Sequence, residues 1–318
     1  MALLEGPHLA LGAEAEAHLA DGAPAVTQDA LGQVAGHAWH HNHVRRPPLG
    51  RPKKSLGQHF LADQQVLAGV VAALDLEPGE RVLEIGPGQG VLTRALLEVG
   101  AEVAAVELDP DLAAELRPLP IQLIQADILK VDPGGVFGGA AYKVAGNIPY
   151  YISSPILRHL LEAQPKPELV VLMLQKELAE RVVAGPGDMS LLSVSVQLYG
   201  RPEIVREVPA TAFRPRPRVD SAVLRIEVYD EPAVRLPDPD RFFTVARAGF
   251  SERRKQVHNA LQRNYKPAGA HTRASLDPAA VSGALRGAGV DPVRRAETLT
   301  LAEWARVAEV IAQLPAGS

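Results

Sequence analysis

The stretch Gly146 to Ile152 reads GNIPYYI and places an amide, a proline and two aromatic rings directly after an apolar run. A proline at this point ends a strand, so the stretch could be an ordinary turn. The same residues could also hold a flat polar ring for chemistry, because Asn147 offers an amide oxygen and Tyr150 an aromatic face. The surrounding elements decide between these two interpretations.

A glycine-rich turn, EIGPGQG, runs from Glu84 to Gly90 between a predicted strand and a predicted helix. An α/β sheet binds nucleotide-like ligands at such a turn. The residue three after Gly88 is Val91, so the spacing departs from the dinucleotide fingerprint, and the turn lacks a P-loop lysine. Glu84 would repel a pyrophosphate but suits ammonium and sulfonium charge. We therefore expect S-adenosylmethionine, with the backbone at Gly86 and Gly88 close to it.

Two further carboxylates follow the next predicted strands. Glu107 ends the second strand in VELD, where it could accept both ribose hydroxyls, and Asp127 ends the third in QADIL, where it could accept from an adenine amine. Such acids can also be helix caps, as we predict for Asp109 before Pro110. Because Glu107 and Asp127 end successive strands beside the glycine turn, we favour a binding row, a set of ligand-binding carboxylates along one edge of the sheet.

Asn147 ends the fourth predicted strand and should face the same edge. An adenine amine is a poor nucleophile because its lone pair is delocalised into the ring. The Asn147 side-chain oxygen and the Ile148 carbonyl could each accept one of its N–H bonds, which favours a pyramidal nitrogen ready to take a methyl group. Pro149 would fix the turn and Tyr150 would stack on the base. Tyr151 is predicted to pack or to face solvent.

Alternating strands and helices predict a mostly parallel, doubly wound α/β sheet. Apolar runs predict its strands at 81–85, 102–108, 121–126, 142–147 and 168–175, completed by late strands at 203–208 and 221–229. A Pro/Asp-rich linker near residue 235 precedes a wholly helical pattern. We predict three parts: a flexible N-terminal extension over 1–50, an α/β domain over 51–235 and a helical domain over 236–318.

Composition and charge narrow the class. The chain has 318 residues, 47% of them hydrophobic, and no cysteine, which excludes disulfides and thiolate chemistry and fits a reducing cytoplasm. We predict neither a secretory signal nor a membrane span. A cluster of histidines has no carboxylate nearby, so we predict no metal there; its members are His37, His40, His41 and His43.

The net charge is −4, yet basic residues cluster in three places. Residues 45–54 hold five of them, 213–225 hold four arginines, and 241–266 hold seven Lys or Arg against one Glu. This distribution indicates either a localised polyanion-binding face or ordinary solvated helix faces, and charge alone does not separate the two.

The Asn-Ile-Pro-Tyr sequence after a strand resembles the signature of the ribosomal RNA adenine N6-dimethyltransferases. The segments KKSLGQHFL, EIGPGQGVLT, VELD, QADIL and FRPRPRVDSAV are similar to the family's other motifs, in order, from about Lys53 to about residue 312. The resemblance implies a Rossmann-like class I S-adenosylmethionine-dependent methyltransferase sheet with a smaller all-helical C-terminal domain.

The resemblance also implies roles for residues. The implied cofactor contacts are His59, Leu61, Glu84, Gly86, Gly88, Glu107, Asp127, Ile128 and Asn147, with His59 standing where the family more often has Asn. The implied catalytic residues are Asn147, Ile148, Pro149, Tyr150 and Phe213, with Phe213 facing the base opposite Tyr150. The implied RNA contacts are Arg214, Arg216, Arg253, Arg254 and Lys255, and no metal is implied.

Within the family, the chain resembles the bacterial small-subunit branch, which transfers four methyl groups to two adjacent adenines near the 3′ end of small-subunit (16S) RNA. The antibiotic-resistance branch usually has Asn where this chain has Asp220. The resemblance implies a cytoplasmic monomer acting on rRNA within an immature small subunit. Two alternatives stay open: an assembly factor without catalysis, and a methyltransferase acting on DNA adenine or a protein amide.

Overall fold

The structure, a computed structural model, describes Lys53, residues 57–266 and residues 276–314. The predicted N-terminal extension over 1–50 and its histidines lie outside the described residues. None of the helices within these ranges is long and apolar enough to cross a bilayer.

The described strands form two sheets. Their bounds are β1 Phe60–Leu61, β2 Arg81–Ile85, β3 Glu102–Glu107, β4 Gln122–Gln125, β5 Lys143–Asn147, β6 Leu169–Gln175, β7 Gly200–Val208, β8 Phe213–Arg214 and β9 Ser221–Val228. Over the described ranges the main sheet has seven strands in the order β4–β3–β2–β5–β6–β9–β7. The short strands β1 and β8 pair with each other, antiparallel.

The main sheet is parallel from β4 to β6, as predicted, but β9 runs antiparallel to both β6 and β7. A parallel return needs a long crossover connection, usually a helix. The connection from β7 to β9 contains only a 3₁₀ turn at Ala210–Ala212 and the two-residue strand β8. The chain therefore folds back beside β7 in the opposite direction.

The helices before the C-terminal region flank the sheet. Their bounds are α1 Gln64–Ala73, α2 Val91–Glu98, α3 Pro110–Leu116, α4 Ser153–Leu161, α5 Lys176–Val183 and α6 Leu191–Gln197. Strand β6 shows why two layers are needed, because its side chains alternate between two apolar clusters. Leu172 packs in the cluster that contains α4 and α5, whereas Val171 packs in the cluster that contains α1 and α2.

The C-terminal region is helical within its described ranges, as predicted, with α7 Pro239–Phe250, α8 Val257–Asn264, α9 Pro278–Gly287 and α10 Leu301–Ile311. Three of the described helices begin at an Asp-Pro pair, where the carboxylate caps a backbone N–H and proline occupies the first turn. The pairs start at Asp109, Asp238 and Asp277.

The C-terminal helices share one apolar core around Trp304. That core also includes Met189, Val194 of α6 and Leu198 directly after α6, all of which come before residue 235 in the chain. The domain boundary near residue 235 therefore stays a prediction, since packing continues across it.

Gly249 in α7 is where this core tolerates no side chain. A Cβ there would lie 2.3 Å from Cη2 of Trp304, well inside van der Waals contact. We expect Gly249→Ala to reduce the free energy of unfolding by about 1–3 kcal/mol, as overpacked cores do, measured by denaturant unfolding.

Gly283 in α9 provides the matched control, because a Cβ there meets nothing within 4 Å. Gly283→Ala should stabilise the protein by about 0.5–1 kcal/mol through helix propensity. Equal effects of the two substitutions would contradict the packing described for Trp304.

Candidate active site

A pocket lies at the carboxyl ends of β2, β3 and β5, where parallel strands lead into loops. The structure brings every predicted cofactor contact to its wall: His59, Leu61, Glu84, Gly86, Gly88, Glu107, Asp127, Ile128 and Asn147. Ile148, Pro149 and Tyr150 line the same pocket. The predicted binding row and the predicted catalytic turn therefore share one site.

The glycine turn brings backbone close to this pocket. Gly86 and Gly88 have φ angles of +66° and +58°, in the left-handed region that glycine adopts at little cost. A Cβ on Gly88 would lie 3.1 Å from the ring of Phe60 on β1. Glycine here therefore permits both the tight turn and the close approach of β1.

Glu107 is held by the turn that it faces. Its Oε2 accepts from the Gly88 N–H at 3.1 Å and its Oε1 accepts from the Asp109 N–H at 2.8 Å. The side chain is 6% exposed, and burial raises its pKa. Each carboxylate oxygen keeps a second lone pair, so both can still accept from a pair of hydroxyls.

Glu84 is the least satisfied polar group in the pocket wall. It is 1% exposed, and its Oε2 has no hydrogen-bond partner among the described residues. Burial, together with the charge of Glu107, raises the pKa of Glu84 to about 7. A buried carboxylate that has an unpaired oxygen and, within the described ranges, no cationic partner in hydrogen-bond contact suits a ligand that supplies positive charge.

Asp109 and Asp127 both act as caps. Asp109 begins α3 and accepts from the Asp111 N–H, as predicted, while Asp127 Oδ1 accepts from the Leu129 N–H and begins a 3₁₀ turn. Capping by one oxygen of Asp127 does not prevent a second interaction, since the residue lines the pocket. The two uses considered for Asp127 are therefore compatible.

The Asn147 amide is oriented by backbone. Its Nδ2 donates to the carbonyl oxygen of His59 at 2.8 Å, which directs Oδ1 away from that bond as an acceptor. The Ile148 N–H donates to the Met173 carbonyl, while the Ile148 carbonyl accepts no backbone hydrogen bond among the described residues. Two oxygen acceptors are thus available at adjacent residues.

Tyr150 is fixed from two sides. Its hydroxyl lies 2.7 Å from Oγ of the fully buried Ser221, and burial raises its pKa. Its ring stacks near that of His59, with centroids 6.1 Å apart and planes at 20°. His59 Nδ1 lies 2.8 Å from the Pro215 carbonyl, so this nitrogen must carry the proton that it donates.

A second set of contacts ties the N-terminal segment beside the pocket. Lys53 Nζ lies 2.6 Å from Asp109 and 2.7 Å from Asp111, and Gln58 Nε2 donates to Asp109 at 3.0 Å. Burial opposes ionisation of Asp109, but the bonds from Lys53 and Gln58 outweigh it and lower the pKa of that carboxyl. A charged network thus anchors the segment that carries His59.

Phe213 does not take the place predicted for it. Its side chain is 0% exposed, packs in the apolar cluster with Val208 and Val223, and is absent from the pocket wall. The reason is its backbone, since β8 pairs with β1 and places Phe213 opposite Leu61. In this structure Phe213 therefore packs behind β1 and outside the pocket wall, and its contact with the base stays a prediction.

The basic residues predicted to contact RNA are all exposed: Arg214, Arg216, Arg253, Arg254 and Lys255. Arg214 ends β8, and Arg216 lies in the loop that follows, on the other side of Pro215. The other three lie in the connection between α7 and α8, not on a helix face as one interpretation had it. A connection projects side chains in several directions, so these charges are not part of an amphipathic pattern.

Sequence reasoning missed Ser221 and the anchoring pair Lys53 and Gln58. Ser221 follows Asp220 in the Phe-Pro loop motif, so the sequence marks its position. The sequence does not indicate its hydrogen-bond partner, because Tyr150 lies 71 residues away. Lys53 belongs to a run of basic residues, and nothing in the sequence indicates that it pairs with Asp109, which lies 56 residues away.

The model of one protein family, ribosomal RNA adenine dimethylase, matches residues 50–312 of the chain. The chain belongs to this family. Curated relatives agree with it. The ribosomal RNA small subunit methyltransferase A of Dehalococcoides mccartyi (strain 195) is 42% identical over 271 residues, which cover 83% of this chain and 90% of the relative. That of Moorella thermoacetica is 40% identical, covering 82% and 92%.

Solved structures resemble the chain over most of its length. A dimethyladenosine transferase from Plasmodium falciparum has a TM-score of 0.65 at 25% identity, covering 78% of this chain and 96% of that one. The 23S rRNA methyltransferase ErmE has a TM-score of 0.59 at 29% identity, covering 80% and 100%. Both matches cover about four fifths of this member of the adenine dimethylase family.

The donor groups in the pocket fit a cationic nucleoside cofactor. Glu84 supplies a buried carboxylate whose Oε2 is unpaired, and Gly86 and Gly88 permit close approach of the backbone. The half-exposed Leu108 and the side chain of Ile128 add apolar wall. No group of three or more metal-ligating side chains occurs within the described ranges.

Glu84 should make the stability of the cofactor-free protein depend on pH. In the unfolded chain this carboxyl ionises around 4.5, whereas in the folded chain it does so around 7. The folded state therefore holds the proton more tightly between these values, and its stability falls as pH rises through that window.

We expect Glu84→Gln to remove this dependence. The variant should gain stability relative to the parent as pH rises from 5 to 8, by an amount on the order of 3 kcal/mol. Denaturant unfolding at both pH values measures it. If the parent and the variant differ in free energy of unfolding by the same amount at pH 5 and pH 8, the raised pKa of buried Glu84 would be contradicted.

Proposed function

We propose that this chain dimethylates N6 of two adjacent adenines near the 3′ end of small-subunit (16S) ribosomal RNA, with S-adenosylmethionine as methyl donor. The observation that carries the proposal is the meeting of Glu84, Glu107 and Asp127 with the acceptor pair of Asn147 and Ile148 in one pocket. The names of the curated relatives support the small subunit as the target.

The pocket residues would divide between two tasks. Glu84, Gly86, Gly88, Glu107 and Asp127 would hold the cofactor, with ionised Glu84 balancing its positive charge. S-adenosylmethionine, when bound, supplies an electrophilic methyl group on a sulfonium sulfur. Because the pKa of Glu84 is raised to about 7, its affinity for a cation should rise as pH increases through that value.

Asn147 and Ile148 would prepare the nucleophile. The Asn147 Oδ1 and the Ile148 carbonyl would each accept one N–H of the adenine amine, which reduces delocalisation of the nitrogen lone pair. The N-methylated cation is acidic enough to lose its proton to solvent, so no strong base is required. Tyr150, held by Ser221 and His59, would keep the base flat against its ring.

We further propose that the enzyme acts as a cytoplasmic monomer on an immature small subunit. The exposed basic residues would contact rRNA phosphates, with Arg214 and Arg216 beside the pocket and Arg253, Arg254 and Lys255 in the helical region. Such contacts position the substrate and carry no sequence information. Target choice would depend on the fit of the folded RNA to both regions.

The deciding assay supplies labelled S-adenosylmethionine with unmethylated small subunits, large subunits or naked RNA, and then maps the modified base. We expect dimethylation of the two adjacent adenines in small subunits. Asn147→Ala should reduce the single-turnover rate by ~100-fold or more, as loss of one oriented polar contact does, with cofactor affinity near that of the parent.

The controls separate the alternatives. Transfer to no substrate at all would leave only an assembly-binding role, and label in large subunits or DNA would overturn the target. Asn147→Ala with weakened cofactor binding but unchanged chemistry would reassign that residue to the cofactor.

Neutralising Arg253, Arg254 and Lys255 with glutamine should weaken rRNA binding and flatten its dependence on salt. Three lost phosphate contacts reduce the slope of log affinity against log salt by about 2–3. A filter-binding salt titration measures it. Arg117→Gln, at an exposed position just after α3, is the control, and an unchanged slope in the triple variant would remove that connection from the interface.

A further inference from the structure

Tyr151 differs from its neighbour Tyr150 in what holds it. Tyr150 is held by Ser221 and His59, whereas Tyr151 is 62% exposed at the mouth of the same pocket. Its ring leans on the backbone of Gly57, where a Cβ would lie 3.6 Å from the ring carbon Cε1. Within the described residues, Tyr151 is the single aromatic side chain among the large apolar ones that are exposed.

The local backbone separates the directions of the two rings. Tyr150, Tyr151 and Ile152 form one turn of 3₁₀ helix, in which successive side chains are about 120° apart. Their Cα atoms are only about 3.8 Å apart. The two rings therefore start from nearly the same point but point in different directions. The ring of Tyr150 is held inside the pocket, and the ring of Tyr151 is exposed at its mouth.

The geometry points to a second nucleotide subsite: Tyr151 stacks on the base next to the adenine that occupies the pocket. This inference rests on the proposed function, in which the target is one of two adjacent adenines. A base taken out of its stack leaves its neighbour with an uncovered face, and an aromatic ring can cover it regardless of which base it is.

The charge around Tyr151 suits a nucleotide. Gly57, on which the ring leans, is two residues from His59, and His59 is hydrogen-bonded to the carbonyl of Pro215. Pro215 lies between the exposed arginines Arg214 and Arg216. The flat apolar face of Tyr151 is thus linked through Gly57 and His59 to a loop that carries exposed arginines, although Arg214 Nη1 also donates to the Thr211 and Phe213 carbonyls. An aromatic face together with arginines is the pairing that binds a base and its phosphate.

Steady-state methylation of unmethylated small subunits tests the subsite. Tyr151→Leu keeps apolar bulk but loses the flat face, and we expect it to raise the KM for subunits roughly tenfold. The dissociation constant for S-adenosylmethionine and the melting temperature should stay at parental values. Tyr151→Phe keeps the ring and should recover most of the lost affinity. Val293→Ala, which trims an exposed side chain in the C-terminal region, is the control.

A modified substrate provides the decisive comparison. Subunits reconstituted with an abasic nucleotide beside the target adenine should raise the parental KM and remove the difference between the parent and Tyr151→Leu. A parental KM in Tyr151→Leu, a changed cofactor affinity, or a tenfold difference that persists on the abasic substrate would each overturn the subsite. Failure of the parent to methylate any subunit would instead overturn the proposed function.

Discussion

The parallel register of β2 with both of its neighbours is the constraint on which the site depends. Glu84 lies opposite Ala105 on β3 and Ala145 on β5, so the three strands end at one level. The strand order continues from β3 to β4 on one side of β2 and from β5 to β6 on the other. Loops that follow neighbouring strands therefore diverge, and a crevice opens where a ligand can enter.

The crevice contains unpaired polar atoms that lower the stability of the fold but can interact with a ligand. Glu84 is buried with its Oε2 unpaired, and the Ile148 carbonyl accepts no backbone hydrogen bond among the described residues. A buried polar atom without a hydrogen-bond partner reduces the stability of the fold. Such atoms are typical of sites in which a substrate or cofactor supplies the missing hydrogen bond or charge. The surrounding apolar clusters, by contrast, are packed on both faces of the sheet.

Much of this architecture was predictable from sequence, because the strands of the parallel part contain short apolar runs and four of the five described there end at a polar residue. The bounds of β2 were predicted at 81–85 and observed at Arg81–Ile85. The position of β9 between β6 and β7 was not predictable from sequence. Its antiparallel direction follows from the absence of a crossover helix in the β7–β9 connection. Helix α6 was missed because its serines and valines are weak helix formers, although Ser190 and Ser193 form a capping box. Burial of Phe213 was missed because a motif specifies position, not side-chain direction.

The bond from Asn147 to position 59 uses the carbonyl of His59 and not its imidazole. Any amino acid supplies that carbonyl, so substitution at 59 leaves the orientation of the Asn147 amide unchanged. Histidine at position 59 is therefore compatible with the reacting geometry of Asn147. The chain path thus orients the acceptor, whereas the imidazole of His59 acts separately, through its contacts with Tyr150 and Pro215.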